Sequence, residues 1–177
     1  MKYVALLRGI GPLNPNMRNE KLRGVVEGLG FHHVQTVVSS GNVVFESDTR
    51  DLRKVEARIQ AQWPTQLGFR STTIIRTREQ MQDLVARSPF GDRLDTRSTS
   101  LQVTFLKHES QVDLGLPYRA DAGDYTVVAF DSGVICSVVD LTASRTPGLM
   151  RWLERWFGNE ITTRSWKTVN RIVTRLS

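Results

Sequence analysis

"HHVQTVVSSGNVVFES", residues 32–47, contains two apolar, β-branched runs separated by Ser40-Gly41, the pattern of two strands joined by a tight turn. Working outward from this hairpin gives the rest of the first half. Upstream, "KYVALLR" (2–8) reads as a strand that runs into the loop "GIGPLNPN", with Asn16 placed to cap a helix. Leu22, Val25, Val26 and Leu29 then recur at helical spacing, which predicts a helix over 17–29 closed by Gly30. Downstream, Asp51 starts a second helix with Leu52, Val55, Ile59 and Trp63 on one side, and "STTIIRT" is a strand after it. The order is βαββαβ, the ferredoxin-like arrangement.

The second half repeats this grammar in weaker form. A third helix is expected over 78–87, followed by an aperiodic join containing Pro89 and Gly91. Then come strand "LQVTFL", an irregular stretch with Pro117, strand "YTVVAF", turn "DSG", strand "VICSVV" and a helix near 148–157. Val169, Ile172, Val173 and Leu176 predict a terminal helix, read as standing in place of the last strand of the second copy. The expectation is therefore an α+β chain of two ferredoxin-like-related subdomains, 1–87 and 88–177, with a basic C-terminal helix.

Bulk properties narrow the class. Hydrophobic residues at 40% and charged residues at 24% are globular values, so no tract reads as disordered. One cysteine, Cys136, excludes an internal disulfide and sits in an apolar run, which predicts a buried structural thiol. No secretion signal or membrane-length apolar run is evident, so a soluble, cytoplasmic protein without a membrane partner is expected. The net charge is +6, distributed unevenly: residues 151–177 hold six basic and two acidic side chains, whereas 101–150 hold three and six. Such asymmetry suits a polyanionic partner.

Two candidate sites emerge. In a βαββαβ sheet the end of the first strand lies beside the start of the third, which brings Arg8 and Gly9 near Ser39, Ser40, Gly41 and Asn42 and suggests an anion site. Turn chemistry explains the same glycines, serines and asparagines without a ligand. The second candidate is the terminal segment, where Arg164, Lys167, Arg171 and Arg175 fall on one helical stripe, with Trp166 beside it and Trp152 and Trp156 nearby in "LMRWLERWFG". Arginine and tryptophan together hold phosphates and stack bases. Against this, Trp156 shares helical spacing with apolar neighbours, and a basic helix face is commonly a solvated one.

Nucleotide motifs are lacking. "GIGPLN" has no third glycine, Pro12 removes a backbone donor, and there is no Walker loop. His32 and His33, adjacent on a strand, are expected to point to opposite faces, and His108 is alone, so no metal and no cofactor are assigned. An open RNA-binding sheet is disfavoured, because the first strand is apolar on both faces and the hairpin strand alternates without exposed aromatics.

The blocks "ALLRGI", "MRNEKLRGVVEGLGF", "VVSSGNVVFES" and "TTRSWKTVNRI", in this order along nearly the whole chain, resemble the bacterial domain of unknown function 1697 family. The resemblance implies two ferredoxin-related subdomains and brings no activity. The chain departs from the usual family pattern in lacking a lysine in the loop after Arg8-Gly9-Ile10, and in carrying Lys167 where the terminal motif has asparagine.

Three functional readings stand at this point. The first is a noncatalytic binding protein for an anionic partner, with nucleic acid as first candidate. The second is an enzyme or small-ligand protein acting on a phosphate- or carboxylate-bearing metabolite, for which no general base is evident beyond Glu46 and Asp48. The third is a self-association module, monomeric or weakly homo-oligomeric, that pairs sheet edges.

Overall fold

The computed structural model describes residues 1–9, 14–39, 41–144 and 147–177. Contacts divide the chain into one unit of residues 1–85 with 168–177 and another of 86–167. Five α-helices and two antiparallel sheets are present among the described residues. None of these helices is long and apolar enough to cross a membrane.

The first unit is built in the expected order: β1 (Lys2–Leu7), α1 (Asn19–Gly28), β2 (His32–Thr36), β3 (Asn42–Glu46), α2 (Leu52–Gln62) and β4 (Thr73–Thr77), with α3 (Arg78–Ala86) beginning directly after β4. The sheet order is β2-β3-β1-β4, so β1 lies between β3 and β4 and runs antiparallel to both. One face, with Tyr3, Ala5, Leu7, Val43 and Phe45, packs against Leu22 and Val26 of α1 and Val55 and Ile59 of α2. Val4 and Leu6, on the opposite face, are also fully buried, which agrees with a first strand that is apolar on both sides.

Local chemistry explains where the helices begin. Asp51 caps α2 as expected, its Oδ1 accepting from the Lys54 amide at 3.1 Å. The first helix starts later than its periodicity predicts. Asn14 caps a separate 3-10 turn, Pro15–Met17, and Arg18 is extended before α1 begins. Asn16 is therefore no helix cap: its amide donates to the Leu67 carbonyl at 2.8 Å and its oxygen accepts from Lys21 Nζ at 2.6 Å. The expected opposition of His32 and His33 also fails. His33 has φ 50° at a bulge, both rings are exposed, and His33 Nδ1 lies 3.2 Å from Glu46 Oε2.

The β4 edge is closed by side chains. Its outward amides at Thr73, Ile75 and Thr77 donate to Gln60 Oε1, Glu56 Oε2 and Gln80 Oε1 at 2.9, 3.1 and 2.9 Å. A second chain pairing here would have to displace all three acceptors. That is how an edge strand is kept from adding partners.

The second unit contains β5 (Thr99–Leu106), β6 (Tyr118–Arg119), β7 (Tyr125–Asp131), β8 (Val134–Asp140), α4 (Leu149–Phe157) and β9 (Ile161–Ser165). Its sheet order is β6-β7-β8-β5-β9. Here the sequence reading is corrected: the last strand of the second copy is present as β9, antiparallel to β5, and α5 (Trp166–Leu176) follows it just as α3 follows β4. The repeat extends to side chains. Arg76 on β4 and Arg164 on β9 each stand fourth in their strand, and each donates from Nη1 to the carbonyl of the preceding residue at 2.9 Å. Among the described residues the second unit has no helix between its first strand, β5, and β6. Val112 and Leu114 from the irregular stretch pack onto the core in its place.

Although α5 is one helix, residues 168–177 belong to the first unit. Within that unit Arg175 Nη1 donates to Gln35 Oε1 at 2.9 Å, and Lys2 Nζ donates to the Ser177 carbonyl at 2.8 Å.

Candidate functional site

The loop edge converges in its backbone. The Leu7 amide donates to the Gly41 carbonyl at 2.9 Å, and Leu6 pairs with Asn42, so the end of β1 adjoins the start of β3. Arg8 is held through its main chain, its amide donating to Thr72 O at 2.9 Å and its carbonyl accepting from Ser71 Oγ at 2.8 Å. Asn42, however, is 1% exposed and donates its side-chain amide to Val37 O at 2.9 Å, which locks the hairpin from inside. Gly9 and Ser39 are exposed, and Ser40 lies outside the described residues. The backbone thus sets Arg8 and Gly9 just past the end of β1, beside the turn that leads into β3, while Asn42 works as a turn residue.

Val38 in the same turn has φ 59°, a region in which a β-branched side chain is strained. Val38→Gly should raise the unfolding free energy by about 1 kcal/mol, net of the stiffness lost from the unfolded chain, read by urea denaturation. An unchanged or lower value would show that the turn accommodates valine without strain.

The terminal stripe is only partly assembled. Arg164 lies on β9, not on the helix, and is 8% exposed. Its Nη1 donates to Thr162 Oγ1 at 2.7 Å and to Thr163 O at 2.9 Å. Desolvation holds its pKa down at about 10. Trp166 is half-buried, its ring edge-on to Phe90 with centroids 5.2 Å apart. Lys167, Arg171 and Arg175 remain exposed on α5 at four-residue spacing, with Arg175 bonded to Gln35. The stripe is thus three cations, one of which is engaged.

A third place combines aromatic and basic groups more closely. In α4 the residues Leu149, Trp152 and Leu153 face the core at i, i+3 and i+4, which leaves Arg151 and Arg155 exposed one turn apart. Beside them the short strand β6, entered through a cis Leu116–Pro117 peptide, carries Tyr118. Its ring stacks on Trp152 with centroids 5.0 Å apart and planes 19° apart, and Tyr125 tilts against Trp152 at 5.9 Å. These residues line an open cleft of about 380 Å³.

The electrostatics of this cleft are mixed. Asp124 is buried, and its Oδ2 accepts from the Gly148 amide at 2.6 Å, so an internal carboxylate already occupies the positive end of α4. Asp121 is exposed. Burial, together with Tyr118 and Asp124, pushes the Tyr125 phenol up to about 12, so it stays neutral and able to donate. An anion entering the cleft therefore depends on Arg151 and Arg155. In sequence, the stretch containing these arginines stands out by its tryptophans. The signal for the basic groups was the interleaved spacing Arg151/Arg155 and Trp152/Trp156, whereas Tyr118 could be placed only by sheet pairing.

Cys136, on β8, is buried, and desolvation raises its pKa to about 12. It is a packing residue, as its apolar context predicts. At neutral pH a thiol-alkylating reagent should label it only as the protein unfolds, and labelling of the folded protein at the rate of a free thiol would contradict this burial.

Comparison with known proteins adds the following. The family described as "Protein of unknown function (DUF1697)" matches residues 1–135. Among solved structures, a conserved bacterial protein from Streptococcus pneumoniae is similar in fold, with TM-score 0.74 and 20% sequence identity over 99% of this chain and 98% of that one. No curated protein matches the chain. The residues matched to the family end within β8, so the arginines of α4 lie beyond them.

Proposed function

This chain belongs to the DUF1697 family of proteins of unknown function, so its role must be argued from its own side chains, and we propose that it binds single-stranded nucleic acid in the α4 cleft. One observation carries the reading: Arg151 and Arg155 flank a stacked Tyr118–Trp152 pair in an open cleft. Aromatic faces stack unpaired bases, and neighbouring arginines hold the backbone phosphates. Trp152 backs the pair from the core, so a base would stack on Tyr118; duplex is disfavoured because its bases are already stacked and cannot extend the pile from that ring. Compared with the terminal helix, the cleft offers two arginines beside an aromatic stack, while Arg164 is buried and Arg175 is bonded to Gln35.

Fluorescence anisotropy of a labelled single-stranded oligonucleotide, titrated at several salt concentrations, tests this. If both arginines contact phosphates, Arg151→Ala/Arg155→Ala should flatten the plot of log K against log salt by about 1.4, since each contact on a single strand contributes roughly 0.7. Lys167→Ala/Arg171→Ala should leave the slope near the wild-type value. The reverse pattern would move the site to α5, and flat slopes in all proteins would dismiss nucleic acid. The cleft volume of about 380 Å³ also fits a small phosphate-bearing ligand. A mononucleotide that saturates the cleft while the oligonucleotide binds no tighter would favour that second reading.

A further inference from the structure

Past the end of α4, whose last turn carries Arg155, lies a second cavity of acidic lining. Phe157 is the last residue of the helix, where the helix dipole presents its negative end, and the Gly158 amide turns back to Glu154 O at 2.9 Å. The cavity, of about 230 Å³, is lined by Leu106, His108, Glu109, Trp156, Phe157 and Glu160, among others, with no lysine or arginine in its lining. Glu109 is exposed, and the Glu160 carboxylate is held by a 2.8 Å contact between its Oε2 and His108 Nε2. Trp156 is 50% exposed, in a chain that buries Trp63 and Trp152. One side of the indole tilts against Trp152 with centroids 6.1 Å apart, and the exposed half shares the cavity lining with two carboxylates.

We propose that this cavity binds a small organic cation, an alkylammonium group, seated against Trp156 and neutralised by Glu109 and Glu160. Two independent features favour positive charge there, the electron-rich indole and the carboxylates, beside a helix C-terminus whose last turn already holds Arg155. The apolar walls of Leu106, Trp156 and Phe157 select a cation clothed in methyl or methylene groups. A hard metal ion would need a fuller set of oxygen ligands than two carboxylates give. The site adjoins the nucleic-acid cleft through the Trp152–Trp156 contact, but its lining carries carboxylates that repel phosphate and does not include Arg151 or Arg155.

The test is isothermal titration calorimetry at fixed ionic strength, with choline as the probe and 3,3-dimethylbutan-1-ol as its uncharged isostere. Choline should saturate one site, with the alcohol weaker by roughly tenfold or more. Glu109→Gln/Glu160→Gln should weaken choline by a similar factor, and Trp156→Leu should abolish saturable binding. All three positions are surface-exposed, and circular dichroism will confirm that the variants fold. Arg151→Ala/Arg155→Ala should bind choline as the wild type does, so loss of the nucleic-acid reading would not touch this one. Equal binding of choline and the alcohol, no saturation by choline, or indifference to the glutamine substitutions would overturn the proposal.

Discussion

Trp63→Ala is expected to lower the unfolding free energy by about 3–5 kcal/mol, the cost of emptying a large aromatic site in a packed core. Trp63 is fully buried at the π-helical turn Trp63–Leu67 that ends α2. It stacks on Phe69 with ring centroids 6.0 Å apart, and its Nε1 donates to Thr73 Oγ1 at 2.8 Å. One side chain therefore ties the end of α2 to β4. Thr73→Val removes this acceptor, together with the hydroxyl's long donation to Ser71 O at 3.4 Å, and should cost about 1–3 kcal/mol, because the indole N–H is then left buried without this partner. Urea denaturation reads both values, and a loss below 1 kcal/mol for the alanine variant would mean that the core closes around the vacancy.

Arg164→Ala should lower stability by about 2–4 kcal/mol and leave the salt dependence of nucleic-acid binding unchanged. The guanidinium is desolvated and satisfies the Thr162 hydroxyl and the Thr163 carbonyl, both of which lose a donor in the variant. Burial costs the charged form hydration and holds its folded-state pKa down at about 10, below the ordinary arginine value, yet the guanidinium stays protonated throughout neutral pH. The sign follows from linkage: above about 10 the unfolded chain binds the proton more tightly, so this residue's contribution makes folding more favourable as pH rises past that value. A variant of wild-type stability with a flatter salt slope would return Arg164 to the binding surface.

The contrast between these two residues shows what could be read from the sequence. Trp63 was placed correctly on the inner side of α2 because Leu52, Val55 and Ile59 repeat with it at helical spacing. The hairpin around Gly41 and the capping role of Asp51 were legible for the same reason: local chemistry determines them. Arg164 was misplaced because it stands three residues before Lys167, so its position satisfied a helical stripe that begins only at Trp166. The β-branched run Thr162-Thr163 carried the strand signal, but five residues ending directly against a helix leave no turn to mark the boundary.

The cleft was less legible still. Arg151 and Arg155 follow from the helical period of α4, but Tyr118 comes from a two-residue strand that no periodicity can reveal. It reaches Trp152 only because β6 pairs with β7, setting Tyr118 opposite Val127. At the loop edge the strand order correctly brought Arg8 towards Asn42. The direction of the Asn42 amide, turned inward to Val37, depends on packing that sequence spacing does not record.

The four tryptophans occupy distinct places, which allows one direct measurement of the central claim. Indole N–H resonances of 15N-labelled protein, followed while single-stranded oligonucleotide is added at physiological salt, would locate the binding surface. The Trp152 resonance should shift in a saturable manner while that of Trp63 stays fixed. A saturable shift of Trp166 with Trp152 unmoved, or no shift at any indole, would contradict binding in the α4 cleft.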